Sequence, residues 1–328
     1  MELPIRFKSV IADFLAPQVA GLDRLRTEEI APLLEEEVDA WHQTLNWDYR
    51  PSAELIHRFV RLEQLGGYAL LLRGRPIGYV YHVIEDRRST VGGLFVSAAY
   101  RTARNEDLLL EAALAELFKT PGVHRIQSQL MLLDNPMTRR YPRSEWMHRY
   151  QREFMEADLS CAGSLEQATP GFPVNFEPWT PLCIDESAAL IARTYEGHVD
   201  GRINDLYRTP GGARKFLENI VQFPGCGSFH QPGSFAARDK VTRRLSGVIL
   251  ASLVAPEIGH VTQVCVGPEA QGSRLGYELM RKSMVSMAER GFQRCSLTVT
   301  SSNPAVGLYT RMGFEHRTPF AALVWDGF

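Results

Sequence analysis

VCVGPEAQGSRLG, running from Val264 to Gly276, decides the fold, because it passes from an alternating apolar run through a glycine-punctuated turn into a helix. Upstream, HVTQVCV (His260–Val266) reads as a strand, and with Leu245–Val254 across the turn at Pro256 and Glu257 it makes an antiparallel hairpin. Downstream, Leu275, Leu279, Met280, Met284, Val285 and Met287 recur at three- and four-residue spacing, a helical pattern that Gly291 ends. Cys295–Thr300 alternates as a further strand, Pro304–Met312 reads as a short helix stopped by Gly313, and Ala321–Trp325 reads as a last strand. Strand, helix, strand, helix, strand is an α/β pattern.

The first half repeats that order. Tyr68–Leu72 and Pro76–Ile84 form a hairpin around Arg73, Gly74 and Arg75, Gly93–Val96 follows as a strand, Asp107–Lys119 is helical, and His124–Leu132 is the next strand. Asn135–Arg149 (NPMTRRYPRSEWMHR) and Asn303–Arg317 (NPAVGLYTRMGFEHR) agree at six of fifteen positions without a gap, which reads as a tandem duplication, a coincidence of two α/β domains being the alternative. Ala168–Pro173 holds two prolines and a glycine and reads as an exposed linker. The expected organisation is a first domain over 1–168, a linker over 169–174 and a second domain over 175–328.

Composition narrows the classes. With 328 residues, 45% of them hydrophobic, the chain can bury two cores of ordinary size. Lys+Arg 36 against Asp+Glu 38, with no basic run, offers no electrostatic footprint for a nucleic acid. The longest apolar stretch, near Gly247–Pro256, is far below the roughly 18 to 20 residues of a membrane span, and the N-terminus lacks a signal peptide's features, so a cytoplasmic protein is expected. The five cysteines are widely spaced without a CxxC pair, which argues against a disulfide framework or a metal cluster and for buried thiols at Cys265 and Cys295.

The chemistry concentrates in the turn. Gly272, Ser273 and Gly276 leave the backbone N–H groups at a helix start open to close approach, where an anion such as a pyrophosphate is favoured; a glycine turn with no ligand has the same composition. Val266, Pro268, Gln271 and Gly276 resemble the acetyl-CoA-binding motif of the GNAT N-acetyltransferase superfamily, V-x-P-x-x-Q/R-x-x-G-x-G/A. Asn303, Ala305, Tyr309, Gly313 and Phe314 resemble the closing motif of the same superfamily. The resemblance covers residues 175–328 well and 1–165 faintly, and it departs at Arg274, where the family has glycine.

The resemblance implies two tandem GNAT-like domains, each a mixed, mostly antiparallel sheet flanked by helices, and an acyltransferase that moves acetyl from acetyl-CoA to a primary amine by direct attack. It implies cofactor contacts from Val264, Val266, Gln271, Gly272, Ser273, Arg274, Leu275, Gly276 and Asn303, with Tyr309 as the acid that protonates the departing sulfur. For Tyr309 a packed aromatic is the alternative. His260 falls where some family members carry a base, with Glu257 beside it, although a structural histidine reads the same way. Acceptor recognition is expected from residues 196–205, which hold His198, Asp200, Arg202, Asn204 and Asp205, with a solvated loop of no binding role as the alternative. In the first copy Glu106 stands for Gly276, so that domain is expected to be degenerate. Neither metal, nucleic acid nor membrane is expected as a partner, and the chain is expected as a monomer with pseudo-dimeric domains or a homodimer. A noncatalytic acyl-CoA sensor and a protein N-acetyltransferase are the alternative functions.

Overall fold

The computed structural model describes residues 16–223 and 225–328, and the chain divides into two units. The first comprises the described residues up to Thr44, together with Tyr49–Gln151 and Pro319–Phe328. Its elements are β1 (Gln18–Gly21), α1 (Thr27–Leu45, ending one residue beyond the unit), α2 (Arg50–Arg61), β2 (Gly66–Leu72), β3 (Arg75–Glu85), β4 (Arg88–Val96), α3 (Ala103–Leu117) and β5 (Arg125–Leu130). Strands β1 to β4 pair antiparallel in sequence order, and β4 pairs β5 in parallel. The period-2 alternation splits the sheet's side chains between two layers. Leu70, Val80, Leu94 and Val96 meet Leu109, Leu110, Ala113 and Leu114 of α3. Ala69, Tyr79 and Phe95 meet Ile30, Leu33 and Leu34 of α1 and Ile56 and Val60 of α2.

The second unit comprises Leu45–Asp48 and Arg152–Thr318. It takes the C-terminal part of β6 (Met147–Asp158), then β7 (Val174–Pro178), α4 (Ile184–Thr194), α5 (Val199–Ile203), α6 (Pro210–Gln222), β8 (Ser228–Phe229), β9 (Phe235–Asp239), β10 (Leu245–Ala255), β11 (Ile258–Val266), α7 (Leu275–Ala288), β12 (Arg294–Thr300) and α8 (Ala305–Arg311). The strands β7, β9, β10 and β11 pair antiparallel, β8 adds to β10, β11 pairs β12 in parallel, and β12 pairs Arg152–Asp158 antiparallel. Helix α7 buries Leu275, Leu279, Met280, Met284 and Met287 against Ile249, Ala251, Val261 and Leu297. On the other face Leu190 and Ile191 of α4 and Leu217 and Ile220 of α6 cover Val248, Leu250 and Cys265. Among the described residues no helix is long and apolar enough to cross a membrane.

Two local features recur in both sheets. The β3–β4 pairing shifts register so that Gly92 is an extra residue, and the β10–β11 pairing does the same at Thr262. The parallel pairs are also equally short, from Arg88↔Arg125 to Val91↔Ser128 in one unit and from Ile258↔Arg294 to Val261↔Leu297 in the other. The duplicated sequence thus encodes a duplicated bulge and a duplicated parting of strands.

The division of the chain differs from the one expected from the linker. Residues 152–168 belong to the second unit, and Pro319–Phe328 belong to the first, where residues 321–326 of β13 (Glu315–Asp326) pair with β5. A proline-rich stretch reports exposed backbone, whereas membership in a sheet is set by which strand covers an otherwise open edge. Phe154 and Met155 cover the edge of β12 and are fully buried. The repeat also diverges locally, since Asn303–Arg311 contains α8 while Asn135–Arg143 forms only turns. Pro142 stands where the second copy has Thr310, and a proline inside a helix removes a hydrogen bond and clashes with the preceding turn.

A buried carboxyl group in the first unit makes stability depend on pH. Glu37 of α1 is 2% exposed and accepts hydrogen bonds from the Tyr79 hydroxyl and from Trp41 Nε1 (3.3 Å). Burial pushes its pKa from 4.5 up to about 7. The folded chain therefore binds a proton that the unfolded chain releases, so this stabilisation is complete below the unfolded value and is lost as pH rises through the folded one. Between about pH 4.5 and 8, wild type is expected to lose on the order of 3 kcal/mol relative to Glu37→Gln, measured by urea unfolding at both pH values. Parallel pH profiles of the two proteins would disprove the assignment.

Candidate functional site

Beyond Val261 and Leu297 the parallel strands β11 and β12 part, and Thr262 bulges at that point. The β12-facing backbone groups of Thr262–Val266 therefore have no strand partner among the described residues. Val264 and Val266 are half-buried beside the gap. The strand runs on into a short 3-10 turn, Pro268–Ala270, fixed by the Gly267 N–H donating to Ser246 O (2.9 Å) and the Ser273 hydroxyl donating to Ala270 O (2.6 Å). Two residues then take left-handed conformations, Gly272 at φ +75° and Arg274 at φ +67°. Such turns direct backbone N–H groups into a concavity that suits an anion. The first-turn N–H groups of Leu275, Gly276 and Tyr277 have no acceptor within the helix. A side chain added at Gly276 would meet only Val266 Cγ2 at 3.5 Å, so the helix start is open.

The predicted cofactor residues are therefore gathered around one turn. Gln271, Gly272 and Arg274 are exposed, and Ser273 and Gly276 are half-buried. Leu275 is fully buried and has only its backbone to offer. Asn303 lies at the start of α8, where its Oδ1 accepts from the Ala305 N–H (2.9 Å), which leaves its amide N–H groups without a partner among the described residues. The expected linker is tied to the same turn: the Gly171 N–H donates to Ser273 O (3.0 Å), the Ala168 N–H to Glu278 Oε2 (3.1 Å), and the Tyr277 hydroxyl to Glu166 O (2.8 Å).

Tyr309 projects from α8, 7% exposed, with its ring 6.0 Å from that of Phe314. Its hydroxyl has no hydrogen-bond partner among the described residues. Burial raises its pKa, and the negative charge of Asp200 raises it further, so the phenol keeps its proton at neutral pH.

Asp200 comes from α5, inside the segment expected to recognise the acceptor. Its Oδ1 accepts from the Thr300 hydroxyl and from Arg152 Nη1 (3.3 Å). Arg152 also donates to Thr300 Oγ1 (3.2 Å) and Thr298 Oγ1 (3.1 Å). Beside them Gln263 Nε2 donates to the Tyr195 hydroxyl (3.0 Å), and the Tyr207 hydroxyl donates to Gln263 Oε1 (3.4 Å). Burial is the main cause of the raised pKa of both tyrosines, and Asp200 contributes to each. Arg152, Thr298, Thr300 and Gln263 escape the sequence reading. Gln263 alone carried a signal, as a polar residue within an apolar strand; Arg152 belongs to a strand upstream of the expected domain.

The two candidate bases take other places. His260 is 4% exposed, with its Nδ1 2.9 Å from Ser296 Oγ and its ring 5.0 Å from that of Trp47 and stacked on Phe154 at 6.2 Å. Burial lowers its pKa to about 3, so it is a neutral imidazole of the core. Glu257 is exposed in the β10–β11 turn, at the opposite end of β11 from the glycine turn, where its carbonyl accepts from Gln293 and Arg294 N–H groups. Of the acceptor segment, Asn204 caps the following turn by accepting from the Leu206 N–H (3.1 Å).

The first unit fills the corresponding space with its own side chains. Helix α3 starts from Thr102, whose hydroxyl accepts from the Asn105 N–H (3.2 Å), and no left-handed residue lies between Asp86 and Gly122. Glu106 is buried, accepts from the Asp134 N–H (3.0 Å) and is ion-paired with Arg139, which also pairs with Asp107. The Tyr81 ring lies over Gly92 and Gly93, so close that a Cβ at either would overlap it. Tyr141, the repeat partner of Tyr309, donates its hydroxyl to Pro136 O (2.9 Å).

Residues 202–314 match the family model described as acetyltransferase (GNAT) family. Mycothiol acetyltransferase of Gordonia bronchialis is 33% identical over 143 residues, which cover 40% of this chain and 45% of that protein. The match thus spans less than half of that relative's length. A GCN5-related N-acetyltransferase from Sphaerobacter thermophilus superposes with a TM-score of 0.65 at 13% identity, over 99% of this chain and 97% of that one. A tandem GNAT protein from the clavulanic acid biosynthesis pathway superposes with a TM-score of 0.60 at 15% identity, over 95% and 98% of the two chains. These likenesses establish a shared fold.

Arg274 holds a conformation that a Cβ disfavours by roughly 1 kcal/mol. Arg274→Gly is expected to keep the turn and leave stability unchanged or higher by up to about 1 kcal/mol, whereas Arg274→Val is expected to lower it by about 1 to 2 kcal/mol. Thermal unfolding of the two variants checks this, and equal stability in both would remove the strain argument.

Proposed function

Because residues 202–314 match the acetyltransferase (GNAT) family model, we propose that the second unit transfers the acetyl group of acetyl-CoA to a primary amine of a small molecule. The observation that carries the reading is the coincidence, in one unit, of a parted strand pair, an open left-handed turn and a largely buried tyrosine whose hydroxyl has no partner among the described residues. The relative named as a mycothiol acetyltransferase supports a small-molecule acceptor.

The residues present fit such a donor. The N–H groups of Gly272–Gly276 would receive the pyrophosphate, and Arg274 would add a cation there. The edge of β11 at Val264 and Val266, which lacks a strand partner and whose carbonyls accept, among the described residues, only the side-chain amides of Gln263 and Gln271 (both 3.4 Å), would pair with the amide-bearing arm, as would the free amide N–H groups of Asn303. When bound, acetyl-CoA supplies the thioester carbonyl that a neutral amine attacks. Backbone N–H groups at the Thr262 bulge would stabilise the charge on the carbonyl oxygen. As the new C–N bond forms and the C–S bond breaks, Tyr309 gives its proton to the sulfur and regains one from solvent, which receives the proton lost by the amine.

The first unit is read as a domain that binds no acyl-CoA. Glu106 and Arg139 satisfy each other where an anion would sit, Tyr81 covers the bulge, and Tyr141 is committed to Pro136.

Calorimetric titration of acetyl-CoA is expected to give one site per chain, abolished by Gly276→Glu, which imitates Glu106 of the first copy. Two sites, or one that survives this substitution, would refute the placement. Tyr309→Phe is expected to bind acetyl-CoA normally and to lower turnover by about 10- to 100-fold against a panel of amines that includes glucosamine. Unchanged turnover would remove Tyr309 from the mechanism, and tight binding without turnover of any amine by wild type would leave an acyl-CoA sensor.

A further inference from the structure

The acetyl-transfer reading leaves the acceptor's grip unassigned, and the second unit holds two polar groups that its own fold does not use, a carboxylate oxygen of Asp200 and the Tyr309 hydroxyl. Resting on that reading, we propose that Asp200 receives the acceptor's ammonium group and that Arg152 is the positioning residue that orients its carboxylate, so that the site selects cationic amines.

The Asp200 side chain is only 13% exposed. One oxygen, Oδ1, is committed to the Thr300 hydroxyl and Arg152 Nη1. His198 Nδ1 lies 3.7 Å from the other, Oδ2. That nitrogen accepts the Asp200 backbone N–H (3.1 Å), so it carries no proton of its own to offer. Oδ2 is left without a donor among the described residues. Oδ2 is not among the fully buried polar atoms, so it is the open side of a carboxylate whose other oxygen is held, and a primary ammonium group supplies three donors to such an acceptor. The fixed Oδ1 side leaves Oδ2 as the direction of approach.

The second unused group marks what that approach leads to. Tyr309 is more than nine-tenths buried, its hydroxyl lacks a partner, and the charge of Asp200 reaches it. An amine nitrogen delivered to Oδ2 therefore lies within electrostatic range of the group proposed to protonate the sulfur. The other titratable groups around Asp200 are Tyr195, Tyr207 and His198, together with the Arg152 cation. Arg152 is anchored on Thr298 and Thr300 of β12, so it holds Asp200 by geometry as much as by charge. Loss of this guanidinium leaves Asp200 attractive but held at Oδ1 by the Thr300 hydroxyl alone.

The test compares two small nucleophiles with acetyl-CoA as donor: methylamine, a cation at neutral pH, and hydroxylamine, which is uncharged there. Asp200→Asn is expected to raise KM for methylamine about tenfold, to leave hydroxylamine within about twofold, and to leave calorimetric affinity for acetyl-CoA unchanged. Arg152→Ala is expected to raise KM for methylamine in the same selective way, and Arg152→Lys to recover part of it, because an ammonium reaches one of the threonines but lacks the fork. Equal losses with both nucleophiles, or none with either, overturn the proposal. If wild type binds acetyl-CoA and acetylates neither nucleophile, the acetyl-transfer reading itself falls and takes the proposal with it.

Discussion

The site in the second unit depends on two parallel strands ceasing to pair. Up to Val261 and Leu297 the ladder holds β11 against β12; beyond them it stops while both strands continue. Unpaired backbone groups beside a packed core are normally an expense of about 1 to 3 kcal/mol each unless something else satisfies them. The fold tolerates the gap because β11 is held from its other edge and from above. Its ladder to β10 runs through the Thr262 bulge, and Gln263 is gripped by Tyr195 and Tyr207. A strand paired on one side and without a strand partner on the other is a template for an extended ligand with amide groups.

The first unit shows that the parting of strands is not sufficient. It has the same short parallel pairing and the same bulge, so both follow from the duplicated β-α-β pattern. What differs is the chemistry within a few residues of the gap. Two left-handed residues open the turn before α7, whereas a threonine cap closes the one before α3. Glycine at the helix start becomes a glutamate, whose charge is neutralised by Arg139. The tyrosine that is free in one copy is hydrogen-bonded in the other. Each change satisfies within the chain a group that the second copy leaves open, while the apolar layers that stabilise the sheet are kept.

The legible part of the fold was the part governed by local period and turn chemistry. The alternation in His260–Val266, the helical spacing from Leu275 and the glycine stop at Gly291 have the structures their residues dictate. Arg274, in a position where its motif has glycine, shows why glycine is preferred there: the φ is positive. What the sequence hid was long-range. His260 sits in a strand at a plausible spacing for a base, but its partners Trp47, Phe154 and Ser296 come from three distant segments, and their packing makes it a core residue. The strand that carries Phe154 and Arg152 precedes the proline-rich stretch, so no boundary signal could assign it to the second sheet.

That assignment has a chemical consequence. Six of the residues nearest the acceptor side, Asp200, Tyr195, Tyr207, Gln263, Thr298 and Thr300, lie after the proline-rich stretch, but Arg152 lies before it. The guanidinium bonds the two threonines of β12 and the aspartate of α5 at once, so it joins the sheet to the helix that would meet the acceptor. A unit ending at the expected boundary would keep the glycine turn and Tyr309 yet lose this link. On the proposed reading, donor binding would be encoded in one continuous stretch, from Val264 to Phe314, whereas the acceptor side would be assembled from two. Change confined to either stretch can alter one without the other, and this is a physical route by which a scaffold retains its donor while its acceptor varies.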